Sequence, residues 1–317
     1  MRGEAPVLAL SGGVGGAKLV RGLANVLTEG RLHVACNTGD DFEHLGLLIC
    51  PDFDTVIYTL SGLVHSGQGW GRADETWQVL GEVAKLGGPS WFRLGDRDIA
   101  LHLLRRQALD NGMSLEDVAT LLCDRLGLTC SVFPASNERV RTLVHSDDGI
   151  LSFQEYFVRD QCEPKTQAIT FDVDTAAKPA VKLNALLTAS DNLAAIIFCP
   201  SNPYLSLDPI LAVPTLRQRI SASRCPRIAV SPIIGGSAIK GPTAKIMTEL
   251  EIPVNPLSYA RHLDGLIDAL VIDHRDADYV AELEADGLQV FCEHIIMSNE
   301  DDKLRLAKTV MRIAEGM

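Results

Sequence analysis

The residues best suited to chemistry lie near the start of the chain, in Ser11-Gly-Gly-Val-Gly-Gly-Ala-Lys18. An apolar run, Val7 to Leu10, breaks there into Gly12, Gly13, Gly15 and Gly16. Apolar residues then recur at helical spacing through Ala17, Leu19, Val20, Leu23, Val26 and Leu27. This pattern is a strand, a tight turn and a helix. Such a turn lets backbone N–H groups approach a ligand and aims a helix N-terminus at it, which favours phosphate or diphosphate. Two familiar nucleotide signatures are excluded. A P-loop needs Gly-Lys followed by Ser or Thr, where the chain reads Ala17-Lys18-Leu19, and the dinucleotide fingerprint needs glycine in place of Lys18. The structural alternative is a turn that only packs the helix on the strand.

Acids and an arginine follow in order. Leu32 to Cys36 reads as a second strand, so the first three elements form a βαβ unit with parallel strands. Past its carboxyl end stand Asn37-Thr-Gly-Asp-Asp41, where open α/β sheets bind ligands. Asn37 and Thr38 are therefore candidate substrate contacts. Asp40 and Asp41 are candidate oxygen ligands of a divalent cation, with a turn that caps a helix as the alternative. In Pro51-Asp-Phe-Asp-Thr55, either Asp54 or Thr55 is placed to cap the apolar helix that follows. The loop Ser66 to Arg72 sets three glycines around Trp70, as in loops that close over ligands. Arg97, in Gly95-Asp-Arg-Asp98 after the strand-like run Trp91 to Leu94, has the planar fork that suits phosphate or a flat ring.

The elements that must position these residues read as one α/β core. A helix spans Ala73 to Leu86, another runs from about Gly95 to Leu109, and Ser114 opens a third. From 129 to about 175 the pattern alternates, and Asp147-Asp-Gly149 marks a hairpin. The continuous apolar run Leu193–Cys199 reads as a strand covered on both faces, Ile228–Ile234, Ala269–His274 and Leu288–Cys292 read as further strands, and helices fall at 209–221, 242–250, 278–286 and 301–315. Ser201 and Asn202 end one of these strands. Gly235 and Gly236 end another, a second candidate phosphate turn. The expected fold is a Rossmann-like, mostly parallel sheet flanked by helices, with residues 1–111 and 191–317 as the core and 112–190 as an inserted helix-plus-β-hairpin subdomain.

Composition narrows the partners. A formal net charge of −12 argues against general nucleic-acid or membrane-surface binding. No stretch is apolar enough to span a bilayer. Eight scattered cysteines without a CxxC pair point to free thiols and a cytoplasmic setting. Zinc spacing and a nucleophile elbow are absent. What remains is phosphate cradles, acids suited to Mg2+ and a guanidinium, which is the equipment of phosphoryl-type transfer.

Taken in order, Ser11 to Lys18, Asn37 to Asp41, Pro51 to Thr55, Gly69-Trp-Gly-Arg-Ala-Asp-Glu-Thr76, Leu94 to Asp98, Cys199-Pro-Ser-Asn-Pro203 and Ser231-Pro-Ile-Ile-Gly235 resemble the phospholactate transferase family called CofD or FbiA, of coenzyme F-420 biosynthesis. The resemblance implies a deazaflavin acceptor, 7,8-didemethyl-8-hydroxy-5-deazariboflavin. It also implies a donor in which guanosine is joined by diphosphate to lactate, or to an enolpyruvyl or glyceryl acid in related members. The terminal ribityl hydroxyl attacks phosphorus and GMP leaves, assisted by Mg2+. On the family pattern Asp54 and Arg97 match the deazaflavin contacts, and Asp54 either orients or deprotonates the hydroxyl. The glycine turn is then a candidate for the diphosphate, Asp40 and Asp41 for the metal, with Asp41 also a candidate catalytic acid. Ser201-Asn202 or Gly235-Gly236 are candidates for the guanosine, and a homodimer is expected. The rival is a related nucleotide-sugar-binding regulator without catalysis, against which Gly69 to Trp77 and Leu94 to Asp98 speak.

Overall fold

The computed structural model describes residues 4–238 and 241–317. The strands, in chain order, are β1 (Val7–Ser11), β2 (Leu32–Cys36), β3 (Phe42–His44), β4 (Leu47–Ile49), β5 (Ser131–Pro134), β6 (Val140–Ser146), β7 (Gly149–Ser152), β8 (Thr166–Val173), β9 (Ala195–Phe198), β10 (Arg227–Val230), β11 (Ile233–Ile234), β12 (Ser237–Ala238), β13 (Ala269–Asp273) and β14 (Gln289–Glu293). The helices are α1 (Val14–Val26), α2 (Pro51–Leu60), α3 (Gln78–Lys85), α4 (Asp96–Asp110), α5 (Leu115–Arg125), α6 (Val181–Thr188), α7 (Asp208–Ala212), α8 (Leu216–Ser221), α9 (Thr243–Glu249), α10 (Pro256–His262), α11 (Val280–Ala285) and α12 (Glu300–Gly316).

Seven strands form the central layer in the order β14-β13-β10-β9-β1-β2-β5, every pair parallel. Alternation along β1 explains the continuous apolar runs. Val7 and Ala9 enter a core beneath α1, α2, α5 and α12, while Leu8 and Leu10 enter a second core on the opposite face with α6 to α11. Both faces are dry, so both sets of side chains are apolar. The stripe of α12 serves this core: Ala307, Val310, Met311 and Ala314 are buried and the helix packs along α1.

Several boundaries differ from the sequence reading, each for a local reason. The segment 112–190 does not stand apart as a whole, because α5 leads into β5, which joins the central sheet beside β2. The excursion proper is the antiparallel sheet β7-β6-β8, whose Asp147-Asp148 turn is the expected hairpin. The span 209–221 divides into α7 and α8 at Thr215, whose φ of 72° no helix tolerates. Trp91 to Leu94 is not a strand. Trp91 and Phe92 instead cluster with Phe42 and His44 of the β3–β4 hairpin, which alternation over three residues was too short to announce. Helix α2 starts at Pro51, not at Asp54 or Thr55, since proline is well placed in a first helical turn. The helix after Ala73 begins only at Gln78. Asp96 of α4 accepts from the N–H groups of Gln78 and Val79 in α3, while Glu75, in the loop before α3, accepts from those of Arg97 and Asp98 at the start of α4.

The glycine turn permits very close approaches. A methyl group at Gly12 would lie 2.2 Å from Cβ of Ser206, and one at Gly15 would lie 2.2 Å from the carbonyl oxygen of Pro200. Gly15→Ala should therefore cost about 1–3 kcal/mol in thermal or chemical unfolding. Gly81→Ala in α3, where the methyl meets nothing within 4 Å, should gain roughly 0.5–1 kcal/mol.

Candidate functional site

The sheet grows in two directions from its middle, to β2 and β5 on one side of β1 and to β9, β10, β13 and β14 on the other. Loops leaving the carboxyl ends of β1 and β9 must therefore diverge, and a crevice opens between them. It is a cleft of about 560 Å3. Gly13, Val14, Gly15 and Lys18 line it from the first turn of α1, and Pro200, Ser201 and Asn202 line it from the end of β9. The two loops are joined by the Gly12 N–H donating to Ser201 Oγ at 2.9 Å. Helix α1 has no side-chain cap, so its N-terminal dipole faces the cleft. Asn202 uses its side-chain oxygen to accept from the N–H groups of Tyr204 and Leu205. Its amide nitrogen is buried without a partner, a donor set aside at the wall.

Buried acids face the same end. Asn37, fully buried, donates its side-chain NH2 to Asp40 Oδ1 at 2.8 Å and to Asp52 Oδ2 at 2.9 Å, with the Leu205 carbonyl at 3.1 Å. Asp40 and Asp52 both line the cleft. Burial, and then the charge of Asp52, pushes Asp40 well above the usual carboxylate range, against the amide of Asn37. Burial pushes Asp52 up to about 6, against Asn37 and the Gly13 N–H. Asp41 turns away from the cleft toward Cys50 and Arg141, and burial raises it to about 7 despite the pull of Arg141 and Arg105. The pair that faces the cleft is thus Asp40 with Asp52, not Asp40 with Asp41, because adjacent residues in this loop point to opposite sides. Among the described residues no three His, Cys, Asp or Glu side chains converge as a metal cage. Two buried carboxylates that line the cleft would fit Mg2+, which takes its other oxygens from phosphates and water.

The far wall is built by α2 and α4. Asp54 reaches Arg105 through both oxygens, one at 3.1 Å from Nη1 and the other on Nη2. Arg105 is wholly buried and also donates to the Leu48 carbonyl at 3.1 Å. His102 lies between, its Nδ1 3.2 Å from Arg105 Nη1, and the Tyr58 hydroxyl donates to Asp98 Oδ1 at 2.6 Å. Tyr58, Trp70, Phe92, Phe153 and Phe157 give this half an aromatic lining. Phe153 and Phe157 stack at 5.3 Å, 13° from parallel. They flank the start of a π-helical turn, Glu155–Arg159, and a second such turn, Pro203–Leu207, brings Leu205 and Ser206 to the cleft.

The expected residues divide accordingly. Gly13, Gly15, Asp40, Asp54, Trp70, Ser201 and Asn202 share one cleft. Gly12 and Gly16 lie behind it and permit the close packing of the turn. Asn37 acts on it through two acids, and Thr38 is buried behind it, its carbonyl accepting from Arg141 at 3.0 Å. Arg97 is exposed at the start of α4 and is not among the lining residues, which include Arg93 and Asp98 on either side of it. Gly235 and Gly236, at φ of 56° and 73°, form the two-residue turn between β11 and β12, and Asp276 takes the Gly235 N–H. They are a hairpin turn, not a phosphate cradle. The residues that sequence reasoning missed are Asp52, Arg105, Gln154, Phe153 and Phe157. Only Asp52, within the Pro51 to Thr55 motif, carried a visible signal.

Comparison with known proteins gives the family. The family model described as 2-phospho-L-lactate transferase CofD matches residues 7–308. A phosphoenolpyruvate transferase of Kitasatospora aureofaciens is 39% identical over 316 residues, 98% of either chain. Proteins with the same description from Streptomyces coelicolor and Mycobacterium marinum are 37% and 33% identical over 315 and 323 residues, covering 98% of both chains in the first case and 96% of this chain and 97% of the relative in the second. The crystal structure of a UPF0052 family protein from Bacillus halodurans superposes with a TM-score of 0.64 at 16% identity, over 96% of this chain and 99% of that one, and so shares the fold. With the motifs in order, the match nearly end to end and the cleft where the motifs meet, the chain belongs to the CofD family of 2-phospho-L-lactate transferases.

Proposed function

We propose that the chain transfers a phosphoenolpyruvyl group from a guanosine diphosphate-linked donor to the terminal ribityl hydroxyl of 7,8-didemethyl-8-hydroxy-5-deazariboflavin, releasing GMP in coenzyme F-420 biosynthesis. The observation that carries this is the division of one cleft into an anion-binding end, with the uncapped α1, Lys18 and the Asp40–Asp52 pair, and an aromatic end. Two substrates of those two chemistries meet there. The choice of the enolpyruvyl group follows the descriptions of the relatives.

A diphosphate at the α1 terminus lies beside two buried acids, so like charges meet unless a cation stands between them. Mg2+ held by Asp40 and Asp52 would supply that neutralisation as the bond to GMP breaks. Asn202 offers its free amide N–H to the nucleotide, and Tyr58, Trp70 and Phe157 offer ring faces to the deazaflavin. Asp54 has both oxygens on Arg105 and serves as an orienting acceptor. Transfer is then a matter of alignment, with the hydroxyl held in line with the phosphorus.

Mass spectrometry of the product made with each donor tests the reading. The enolpyruvyl adduct is expected, the lactyl adduct would reassign the donor, and no adduct with either would reject the transferase. Asp52→Asn and Asp40→Asn should each lower Mg2+-dependent turnover at least 100-fold while leaving the chain folded, as thermal unfolding will report. The acids also set a pH dependence. Their carboxyls titrate higher in the folded chain than the usual value near 4, so from about pH 4 to about pH 7 the folded state holds more protons than the unfolded and stability falls as pH rises. In a chelator, the melting temperature should be lower at pH 8 than at pH 5.5. Asp41→Asn should flatten that slope, and Mg2+ should raise the pH 8 value.

A further inference from the structure

We infer that Arg105 is a positioning residue that decides what the aromatic end offers a ligand: it fixes Asp54 as an acceptor and, by donating to Nδ1 of His102, leaves the ring Nε2 as a donor. The inference rests on the reading of the cleft above and deepens it. A guanidinium has N–H groups and no lone pair to share, so in its 3.2 Å contact with His102 Nδ1 the ring nitrogen accepts. The ring proton then sits on Nε2. That nitrogen is buried, belongs to a residue lining the cleft and has no hydrogen-bond partner. Its nearest carboxylate oxygen, Asp98 Oδ1, is 3.5 Å away and already accepts from Tyr58 at 2.6 Å.

The same guanidinium occupies both oxygens of Asp54 and stands 5.8 Å from the centre of the Phe53 ring. Arg105 does not line the cleft and acts only through its neighbours. One buried cation thereby fixes both Asp54 and the ring of His102, whose Nδ1 lies 3.8 Å from Asp54 Oδ2 and whose Nε2 is turned to the Asp98 side. Lysine cannot replace Arg105, since a point charge lacks the fork that serves two residues at once.

Steady-state kinetics of the full chain, with the deazaflavin as acceptor and the guanosine diphosphate-linked enolpyruvyl donor, test this, with thermal unfolding as the check on folding. Arg105→Lys should raise the acceptor KM at least tenfold and leave the donor KM within twofold. His102→Leu should do the same, and His102→Gln, which keeps an N–H near the Nε2 position, should recover most of the loss. Equal loss in the Gln and Leu variants overturns the inference. So does a wild-type acceptor KM in Arg105→Lys, or a parallel rise in both KM values that marks a merely structural role. Should Arg105→Lys fail to fold, the His102 pair decides alone. A wild-type chain that makes no product is a different result, since it rejects the transferase reading from which this inference starts.

Discussion

Two carboxylates, Asp40 and Asp52, share one buried amide, that of Asn37, at the point where the central sheet changes its direction of growth. Much of the site follows from that constraint. Burying two acids together is unfavourable unless each is hydrogen-bonded and some positive charge is near. The fold meets the first condition with Asn37 and the Gly13 N–H, and the second in part with the end of the α1 dipole and, for Asp40, the charge of Arg141. In the proposed reaction a cation between the two acids would supply the rest and would also meet the donor's diphosphate.

The opposite wall solves a similar problem differently. Asp54 is two residues beyond Asp52 on α2, about 200° around the helix, and so faces α4 instead of the glycine turn. Arg105 meets it there with a bidentate pair in a dry environment, where removing one partner is far more costly than the pair is stabilising. The first acid pair thus faces the cleft with no guanidinium on it, and this one is closed by its own guanidinium. That difference separates an end of the cleft suited to charge from an end suited to a flat ring.

The antiparallel excursion β6 to β8 completes the second end. Phe153 and Phe157 project from the π-helical region that follows β7, and Gln154 donates to the Asp40 carbonyl at 3.2 Å, tying the excursion to the acid loop. Without this segment the aromatic half would be lined on the α2 and α4 side alone.

The sequence by itself determined the parts whose causes are local. The strand, turn and helix around Gly12 to Gly16, the parallel runs with both faces apolar, α12 with its single stripe and the hairpin at Asp147-Asp148 all follow from periodicity and turn chemistry within a few residues, and the ordered motifs named the family. Tertiary structure alone decided which acids face the cleft. Adjacent Asp40 and Asp41 differ only in the side to which the loop turns them, and Asp52 and Asp54 only in their angle on a helix whose cap lies four or five residues before the expected one. It also decided the partner of Asp54, since Arg105 stands 51 residues away and nothing local marks one arginine on α4 above another. Gly235-Gly236 and Arg97 show the same limit from the other side: their residue types suit phosphate or a ring, but a hairpin turn and an exposed helix start give them other surroundings. Backbone preference is written along the chain, whereas the direction of a charged side chain is set by what the finished fold brings within 3 Å of it.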